Sequence, residues 1–267
     1  MPTLTEQLLR EAEIDTGAIR DNAKTIVDRS SGFTVIADVS ADGYGHGAVE
    51  SAFAALDGGV AMFNVSDTVA AAELRESGIL VPISVSYFDG ADDAERAAEL
   101  DVVSRRTLDS STLRQVGPAL YGLAEDGGPR EHGETGLRAA MRVITRVVGT
   151  KTIEAGDGVS YGYTFRAARR TNLALIALGY ADGLDRRAGN AATVWLAGKS
   201  RMIAGRVAMN VAVLDLGDDI VSIGDEAIVF GDPALGEPAA VDWAGSLGIG
   251  ATESATVFGR LLPRSHR

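Results

Sequence analysis

A glycine-rich segment directly after a strand-like run is the part of the sequence best suited to binding chemistry. Residues 40–47 read SADGYGHG and follow the apolar, β-branched run 33–39 (FTVIADV). The three glycines of this segment let a ligand approach the backbone closely, and the free N–H groups of a following helix suit an anion. The Tyr44 hydroxyl could add a hydrogen bond to a phosphate. A tight, well-packed corner explains the same glycines, so this pattern leaves both interpretations open.

Composition excludes several other kinds of site. The chain has no cysteine, which rules out disulfides, a thiolate nucleophile and cysteine-ligated metals. Its three histidines, His46, His132 and His266, are far apart in the sequence, so we expect no metal site. We interpret His46 as a hydrogen-bonding residue that stabilises the glycine-rich loop.

Charge and hydropathy also exclude two classes of partner. The chain has 25 basic and 37 acidic residues, a formal net charge of −12 at pH 7, which argues against nucleic acids and anionic membranes. No apolar run approaches the ~18 residues of a membrane span. The first ten residues also lack the layout of a signal peptide. We therefore expect a cytoplasmic protein.

The elements that would position residues 40–47 alternate between strand and helix. Strand-like runs start near residues 33, 60, 79 and 102, and the helical stretches between them cover 48–56, 67–76 and 91–100. A repeat of roughly 19 to 27 residues is typical of βα units in a parallel sheet with right-handed crossovers. A further helix over residues 19–27 is expected to cover that sheet.

The second half of the chain has a different pattern. Its strand-like runs are short and separated by glycine and aspartate turns, at 141–148, 172–177, 193–197, 202–216 and 226–230. Short strands at this spacing, without long helices between them, predict an antiparallel β-barrel-like or sandwich domain. One late helix is expected over residues 241–247.

A polar, glycine-rich stretch separates the two halves. Residues 122–136 lack apolar periodicity and are predicted to form a linker. The expected domains are therefore residues 1–121 and 137–267.

The glycine-rich segment also resembles a known signature. ADGYGHG after a strand is similar to K-A-(D/N)-A-Y-G-H-G, the loop of the alanine racemase family of fold-type III pyridoxal phosphate (PLP) enzymes. Other segments resemble that family in the same order: residues 14–22, 63–78, 117–122, 155–162, 178–183, 205–210 and 262–264. The agreement of so many segments in order indicates homology over nearly the whole chain.

The resemblance implies a fold, a cofactor and an assembly. It implies an N-terminal barrel of the (β/α)8 type, a C-terminal β-domain, and a head-to-tail homodimer in which one subunit's β-domain completes the other's site. By position, Tyr161 matches the family's second catalytic base, and Tyr44 and Gly117 match cofactor-binding residues. The implied substrate-binding residues are Tyr180, Met209 and Asn210.

The chain departs from the family where PLP would be held. Ser40 stands in place of the lysine that forms the imine, and a serine hydroxyl cannot form one. Gln115 stands in place of the arginine that contacts the pyridine nitrogen. Asn210 replaces an aspartate, and Thr252 replaces a tyrosine that helps hold the phosphate. We therefore expect no covalently bound PLP, and PLP only as a non-covalent ligand if it binds.

The first domain is also short for this family. Residues 1–136 contain both this domain and the linker, whereas a (β/α)8 barrel typically needs about 200 residues or more. By the order of the matching segments, several βα units are missing between residues 103 and 117. Four or five strands cannot close an eight-stranded barrel, so we predict a truncated barrel whose strand edges need cover, for which a dimer is the natural source.

Three functions remain open at this point. The first, which we favour, is an alanine-racemase-like protein that is inactive as a PLP racemase and has a scaffold, regulatory or ligand-binding role. The second is an active PLP-dependent amino-acid racemase with a rearranged site, which needs another amine to reach the cofactor. The third is a lysine-independent enzyme that reuses Tyr161 and residues 40–47 on a small amino-acid or anionic ligand.

Overall fold

The computed structural model describes residues 9–87, 90–123 and 136–267. The chain divides into two compact units. The α/β unit comprises Asp15–Ala140 with His266–Arg267, and the β unit comprises Met1–Ile14 with Met141–Ser265. Most of the predicted linker 122–136, including His132, lies outside the described residues.

The elements predicted for the first half are all present. The helices, in chain order, are α1 (Thr16–Asp28), α2 (Ala48–Asp57), α3 (Thr68–Glu76), α4 (Gly90–Glu99), α5 (Ala240–Leu247) and α6 (Ala251–Leu261). The strands are β1 (Arg10–Ile14), β2 (Thr34–Asp38), β3 (Met62–Val65), β4 (Ile83–Val85), β5 (Val102–Ser104), β6 (Leu113–Val116), β7 (Met141–Ile153), β8 (Gly158–Val159), β9 (Phe165–Arg166), β10 (Thr171–Ile176), β11 (Thr193–Leu196), β12 (Lys199–Met202), β13 (Ala212–Gly217), β14 (Glu226–Phe230) and β15 (Arg264–His266).

The α/β unit contains one parallel sheet in the order β5-β4-β3-β2-β6. Consecutive residues of its strands are buried and mostly apolar, as in Val35, Ile36 and Ala37 of β2. Such runs are typical of parallel strands that are covered by their crossover helices. The sheet has five strands, which confirms the prediction of a truncated barrel-like domain with fewer than eight.

The connection between β5 and β6 is abnormally short. These strands are consecutive in the chain yet lie at opposite edges of the sheet, and the eight residues between them form only two 3₁₀ turns, Arg105–Thr107 and Ser110–Thr112. A parallel crossover normally needs a dozen residues or more, usually a helix. β6 pairs with β2, as the last strand of a closed barrel pairs with the first. The sheet is therefore that of a barrel whose middle strands are missing.

The β unit is built on an eight-stranded sheet whose long central strand, β7, pairs antiparallel with β1, β10 and β14. This confirms the predicted C-terminal antiparallel domain. The single strand predicted over 202–216 is wrong, because β12 ends at Met202 and β13 begins at Ala212. The loop between them passes through Gly205 at a φ of 78°, which a continuous strand does not allow.

β1 belongs to the β unit although it precedes the α/β unit in the chain. Ile14 lies opposite Met141 and Arg10 lies opposite Thr145. The sequence pattern places β1 with residues 1–121, because a strand whose partner lies more than 120 residues away leaves no local signal. The domain bounds 1–121 and 137–267 stay a prediction.

Two features are absent from the residues that the structure describes. Over 9–87, 90–123 and 136–267, no helix is long and apolar enough to cross a membrane. Over the same residues, no group of three or more histidine, aspartate or glutamate side chains could hold a metal ion.

Candidate functional site

The carboxyl ends of the parallel strands bring Ser40 and Gln115 into one hydrogen-bonded group, the Ser40 cluster (Asp38, Ser40, Arg105 and Gln115). Asp38, the last residue of β2, accepts from the Ser40 N–H at 2.9 Å and from Gln115 Nε2 at 3.1 Å. Arg105 Nε donates to Gln115 Oε1 at 2.8 Å. The cluster joins β2, β6 and the turn after β5, and it engages both oxygens of Asp38.

Residues 41 to 44 form a turn with left-handed backbone, at φ values of 53°, 58°, 60° and 54°. A left-handed residue other than glycine costs roughly 1–2 kcal/mol, so the surroundings must hold this turn. Asp42 does so twice: its carbonyl accepts from the Gly47 N–H at 2.9 Å, and its carboxylate accepts from the Ala48 N–H at 2.9 Å. The N–H group at the start of α2, a candidate anion donor by sequence, is therefore bonded to a carboxylate of the chain.

Three aromatic rings pack against this turn. The His46 ring stacks on Tyr121 with centroids 4.4 Å apart, and the Tyr44 ring lies 5.4 Å from Tyr121. His46 Nδ1 is 3.0 Å from the Gly43 carbonyl oxygen. A Cβ atom added to Gly117 would lie 2.7 Å from the Tyr44 hydroxyl. The structure thus brings Tyr44 and Gly117 together, and a side chain at position 117 would displace the hydroxyl.

Burial of Tyr121 gives this region a measurable pH dependence. Burial raises the pKa of the Tyr121 hydroxyl well above its ordinary value. The hydroxyl lies 3.3 Å from the Asp38 carbonyl oxygen, to which it donates. An unfolded tyrosine ionises near pH 10, whereas the buried one keeps its proton, so folding is favoured less as pH rises above about 10.

We expect Tyr121→Phe to remove this alkaline loss of stability. In the native chain, ionisation of this tyrosine in the unfolded state should lower the free energy of unfolding by up to about 1.4 kcal/mol per pH unit above pH 10. The variant should lose about 1 kcal/mol at pH 7, from the missing hydrogen bond. Urea unfolding from pH 7 to pH 11 measures both effects. Tyr87→Phe, at a position 72% exposed, is the control and should follow the native slope; an unchanged slope in Tyr121→Phe would contradict the assignment.

Polar side chains continue from the Ser40 cluster across the same face of the sheet. Asp38 lies opposite Asn64, and Asn64 lies opposite Ser84. Asn64 and Ser84 are buried, and Asn64 accepts from Ser84 Oγ at 3.0 Å and donates to Ser86 Oγ at 3.1 Å. Neither these residues nor Asp38 are among the site residues predicted from the sequence. Their signal was a polar residue within or at the end of a mainly apolar strand.

In the β unit, Tyr161 begins a 3₁₀ turn, Tyr161–Tyr163, and is 70% exposed. The preceding Ser160 has a φ of 61°, and its hydroxyl donates to the Arg206 carbonyl at 2.6 Å. The turn is therefore fixed at its start while the Tyr161 side chain remains accessible to a ligand or to another chain.

Two loops of the β unit form one surface. The Tyr180 N–H donates to the Ala208 carbonyl at 3.0 Å, and the Ala181 N–H donates to the Met209 carbonyl at 2.9 Å. A Cβ atom on Gly179 would collide with both of these carbonyl groups. The exposed side chains on this surface are Tyr180, Met209 and Asn210.

Asp182 stabilises the loop that carries Tyr180. Its carboxylate is buried, accepts from the Gly179 N–H at 2.9 Å and pairs with Arg10 Nε at 2.8 Å. β1, which carries Arg10, therefore supports the loop that presents Tyr180. The last predicted residue, Thr252, lies in the first turn of α6, where its carbonyl accepts from the Thr256 hydroxyl at 2.8 Å.

The Ser40 cluster does not fit a covalently held PLP. Position 40 offers a hydroxyl and no amine. Gln115 is neutral and already bonded to Asp38 and Arg105, so it supplies no cation for a pyridine nitrogen. The turn after Gly117 begins with Pro118, which has no N–H to donate to a phosphate.

The lysines of the chain lie on elements other than those that carry the Ser40 cluster. The sequence contains three, Lys24, Lys151 and Lys199. Lys24 lies on α1, where it pairs with Asp28 at 3.3 Å. Lys151 and Lys199 lie on β7 and β12 of the β unit, and Lys199 pairs with Asp219 at 2.8 Å. None of them belongs to a loop at the carboxyl end of a parallel strand.

Comparison with known proteins agrees with this division into two parts. Residues 14–122 match the family described as alanine racemase, N-terminal domain, and residues 140–266 match alanine racemase, C-terminal domain. The alanine racemase of Thermobifida fusca is 31% identical over 365 positions, which cover 95% of this chain and 97% of the relative. Because this chain has 267 residues, at least 98 of those positions have no counterpart in it.

Solved structures show the same similarity. The alanine racemase from Streptomyces lavendulae, a producer of D-cycloserine, superposes with a TM-score of 0.90 at 26% identity, covering 98% of this chain and 97% of that one. The alanine racemase from Bartonella henselae, solved with covalently bound pyridoxal phosphate, shares the fold at a TM-score of 0.85 and 19% identity, covering 98% of this chain and 100% of that one.

Proposed function

The chain belongs to the alanine racemase family, and we propose that it is a member that does not racemise amino acids through lysine-bound PLP. The observation that carries this proposal is the Ser40 cluster. The position that should present an amine presents a hydroxyl, and the neighbouring Gln115 is tied to Asp38 and Arg105. The cluster is a closed polar network, and it supplies neither the imine-forming group nor the cation of the family.

The shortened sheet supports the same proposal. A racemase must hold its cofactor and keep water from the reacting carbon. On the face that carries Asp38, Val103 of the edge strand β5 is 42% exposed, and Gln115 of the other edge strand is also exposed. Water therefore reaches both edges of this face, although Asn64 and Ser84 at its centre are buried, and charges at the edges are screened, so general-base chemistry gains little there. A ligand-binding, regulatory or scaffold role requires no such exclusion of water.

The test of this proposal uses the purified full-length chain with added PLP. We expect no stoichiometric adduct that borohydride can reduce onto the protein, and alanine racemisation no faster than in free PLP solution. Enzymes accelerate their reactions by at least about 10⁶-fold, so a functioning site would be obvious. A stoichiometric reducible adduct together with racemisation would overturn the proposal. Mass mapping of that adduct to Lys24, Lys151 or Lys199 would establish the rearranged racemase instead.

We also propose that the chain works as a homodimer. β5 and β6 each have a strand partner on only one side among the described residues, and free strand edges need cover. Tyr161 and Met209 are exposed at 70% and 55%, which suits residues that meet another subunit. Sedimentation of the purified chain should give twice the monomer mass of 27.8 kDa, and a monomer at micromolar concentration would contradict this.

A further inference from the structure

The strand β5 leaves one edge of the parallel sheet open, at the place where the missing βα units would continue it. β5 pairs with β4 through Val102, Val103 and Ser104, and no other strand of the described residues pairs with it. Its central residue, Val103, is 42% exposed. An open edge carries backbone N–H and C=O groups that can pair with another strand. This edge is therefore a surface where a further strand can add to the sheet.

The helix α4, which packs against β5, has an exposed apolar flank. Three exposed alanines recur at intervals of three and four residues and form this alanine flank: Ala91, Ala94 and Ala98. On the other side of the buried Ala97, Asp93 accepts from the Thr68 hydroxyl of α3 at 2.8 Å. The alanine flank therefore faces away from α3, on the side where the next helix of the barrel is missing.

A second copy of this chain fits the β5 edge because the edge is complementary to itself. If two β5 strands pair antiparallel about Val103, each Val103 lies opposite its counterpart, and Asp101 of one copy comes beside Arg105 of the other. These two residues have opposite charges, so the symmetry creates two ion pairs. Arg105 Nε donates to Gln115, and the guanidinium has further N–H groups for this contact.

The same two-fold axis brings the two α4 helices together. An axis perpendicular to the sheet keeps each helix on its own face, so both copies of α4 lie side by side on one face of a continuous sheet. Small side chains let two helices approach closely. The alanine flank carries no charge, so contact between the two flanks buries none.

We propose that two copies of this chain associate by antiparallel pairing of their β5 strands, with the alanine flanks of their α4 helices in contact. This inference rests on the homodimer proposed above and assigns a surface that joins its subunits. The pairing covers a strand edge that the missing strands of a complete barrel would otherwise cover.

Cross-linking tests the position of the two-fold axis. The chain has no cysteine, so Val103→Cys introduces a single thiol that can form only an intermolecular disulfide. Opposite residues of an antiparallel pair have Cα atoms about 4.5 or 5.5 Å apart, which is within the reach of a disulfide. Under mild oxidation we expect Val103→Cys to form covalent dimers at least about tenfold faster than Val69→Cys, which replaces a more exposed valine on α3.

A charge exchange separates loss of pairing from loss of folding. Val103→Asp and Val103→Lys each place like charges opposite each other in a dimer, so sedimentation should show the dimer Kd raised by at least about tenfold in each variant. A mixture of the two variants places opposite charges together and should restore dimers made of one copy of each. Val69→Asp is the control and should sediment as the native chain does.

The outcomes distinguish this interface from the homodimer itself. A native chain that sediments as a monomer at micromolar concentration would overturn both proposals. A native dimer in which Val103→Asp associates as tightly as before, or in which Val103→Cys cross-links no faster than Val69→Cys, would overturn only the β5 pairing and leave the homodimer to another surface. A mixture of the two charged variants that stays monomeric would also overturn the pairing, because the side chains at position 103 would not meet.

Discussion

Ser40→Lys alone is expected to leave alanine racemisation at the rate of free PLP, at least about a million-fold below that of a working enzyme. The new ammonium would stand beside the Asp38 carboxylate, which already accepts from the backbone of residue 40. A nearby carboxylate favours the protonated amine, and only the neutral amine can form an imine. Gln115 and Arg105 would remain as they are, and the face around them would still be open to water.

The measurement is the borohydride-reducible adduct together with the formation of D-alanine from L-alanine. Ser40→Met, which has similar length and no amine, is the matched control and separates effects of size from those of the amino group. If Ser40→Lys gained both a stoichiometric adduct and racemisation, the lysine would be the only missing component. The Ser40 cluster would then be a site one substitution away from activity, and our explanation based on Asp38 and the shortened sheet would be wrong.

Gly179→Ala is expected to destabilise the β unit by roughly 3 kcal/mol, lowering its unfolding temperature by about 6–12 °C. The added Cβ atom would collide with the carbonyl groups of Ala208 and Met209. Moving them apart would weaken the two hydrogen bonds that Tyr180 and Ala181 donate to these carbonyls. The surface that presents Tyr180, Met209 and Asn210 would separate into two loops.

Calorimetry and urea unfolding measure this effect. Gly245→Ala is the matched control, because Gly245 lies inside α5 and a Cβ atom there meets nothing within 4 Å. That substitution should stabilise the chain by about 0.5–1 kcal/mol, since alanine loses less entropy than glycine in a helix. If the free energy of unfolding of Gly179→Ala lay within about 0.5 kcal/mol of the native value, the two loops would not depend on each other as described.

The short-range features of the fold were predictable from the sequence. Strand-like runs and the helical stretches between them predicted β2 to β5 and α1 to α4. The helix α6 and the strands β1 and β6 were not predicted. β1 and β6 are four or five residues long and are stabilised by pairing with β7 and β2, which are distant in the sequence. No local propensity records such a partner.

The residues of the Ser40 cluster were also predictable only in part. Ser40 and Gln115 were identified because they occupy positions of a recognisable motif. Asp38 and Arg105 were not identified, because their place in the cluster depends on hydrogen bonds with Gln115. In the chain, Gln115 is 77 residues from Asp38 and 10 residues from Arg105. These contacts exist only because β6 pairs with β2 and the turn after β5 returns to the same end of the sheet.

The sequence by itself determined the family, the two-part organisation, the absence of an imine-forming lysine at position 40 and the shortening of the barrel. Each of these depends on residue types and spacing along the chain. Only the tertiary structure decided that Gln115 is hydrogen-bonded to both Asp38 and Arg105 and that β1 joins the β unit. The physical reason is that strand pairing and side-chain packing join residues whose separation in the chain leaves no periodic signal.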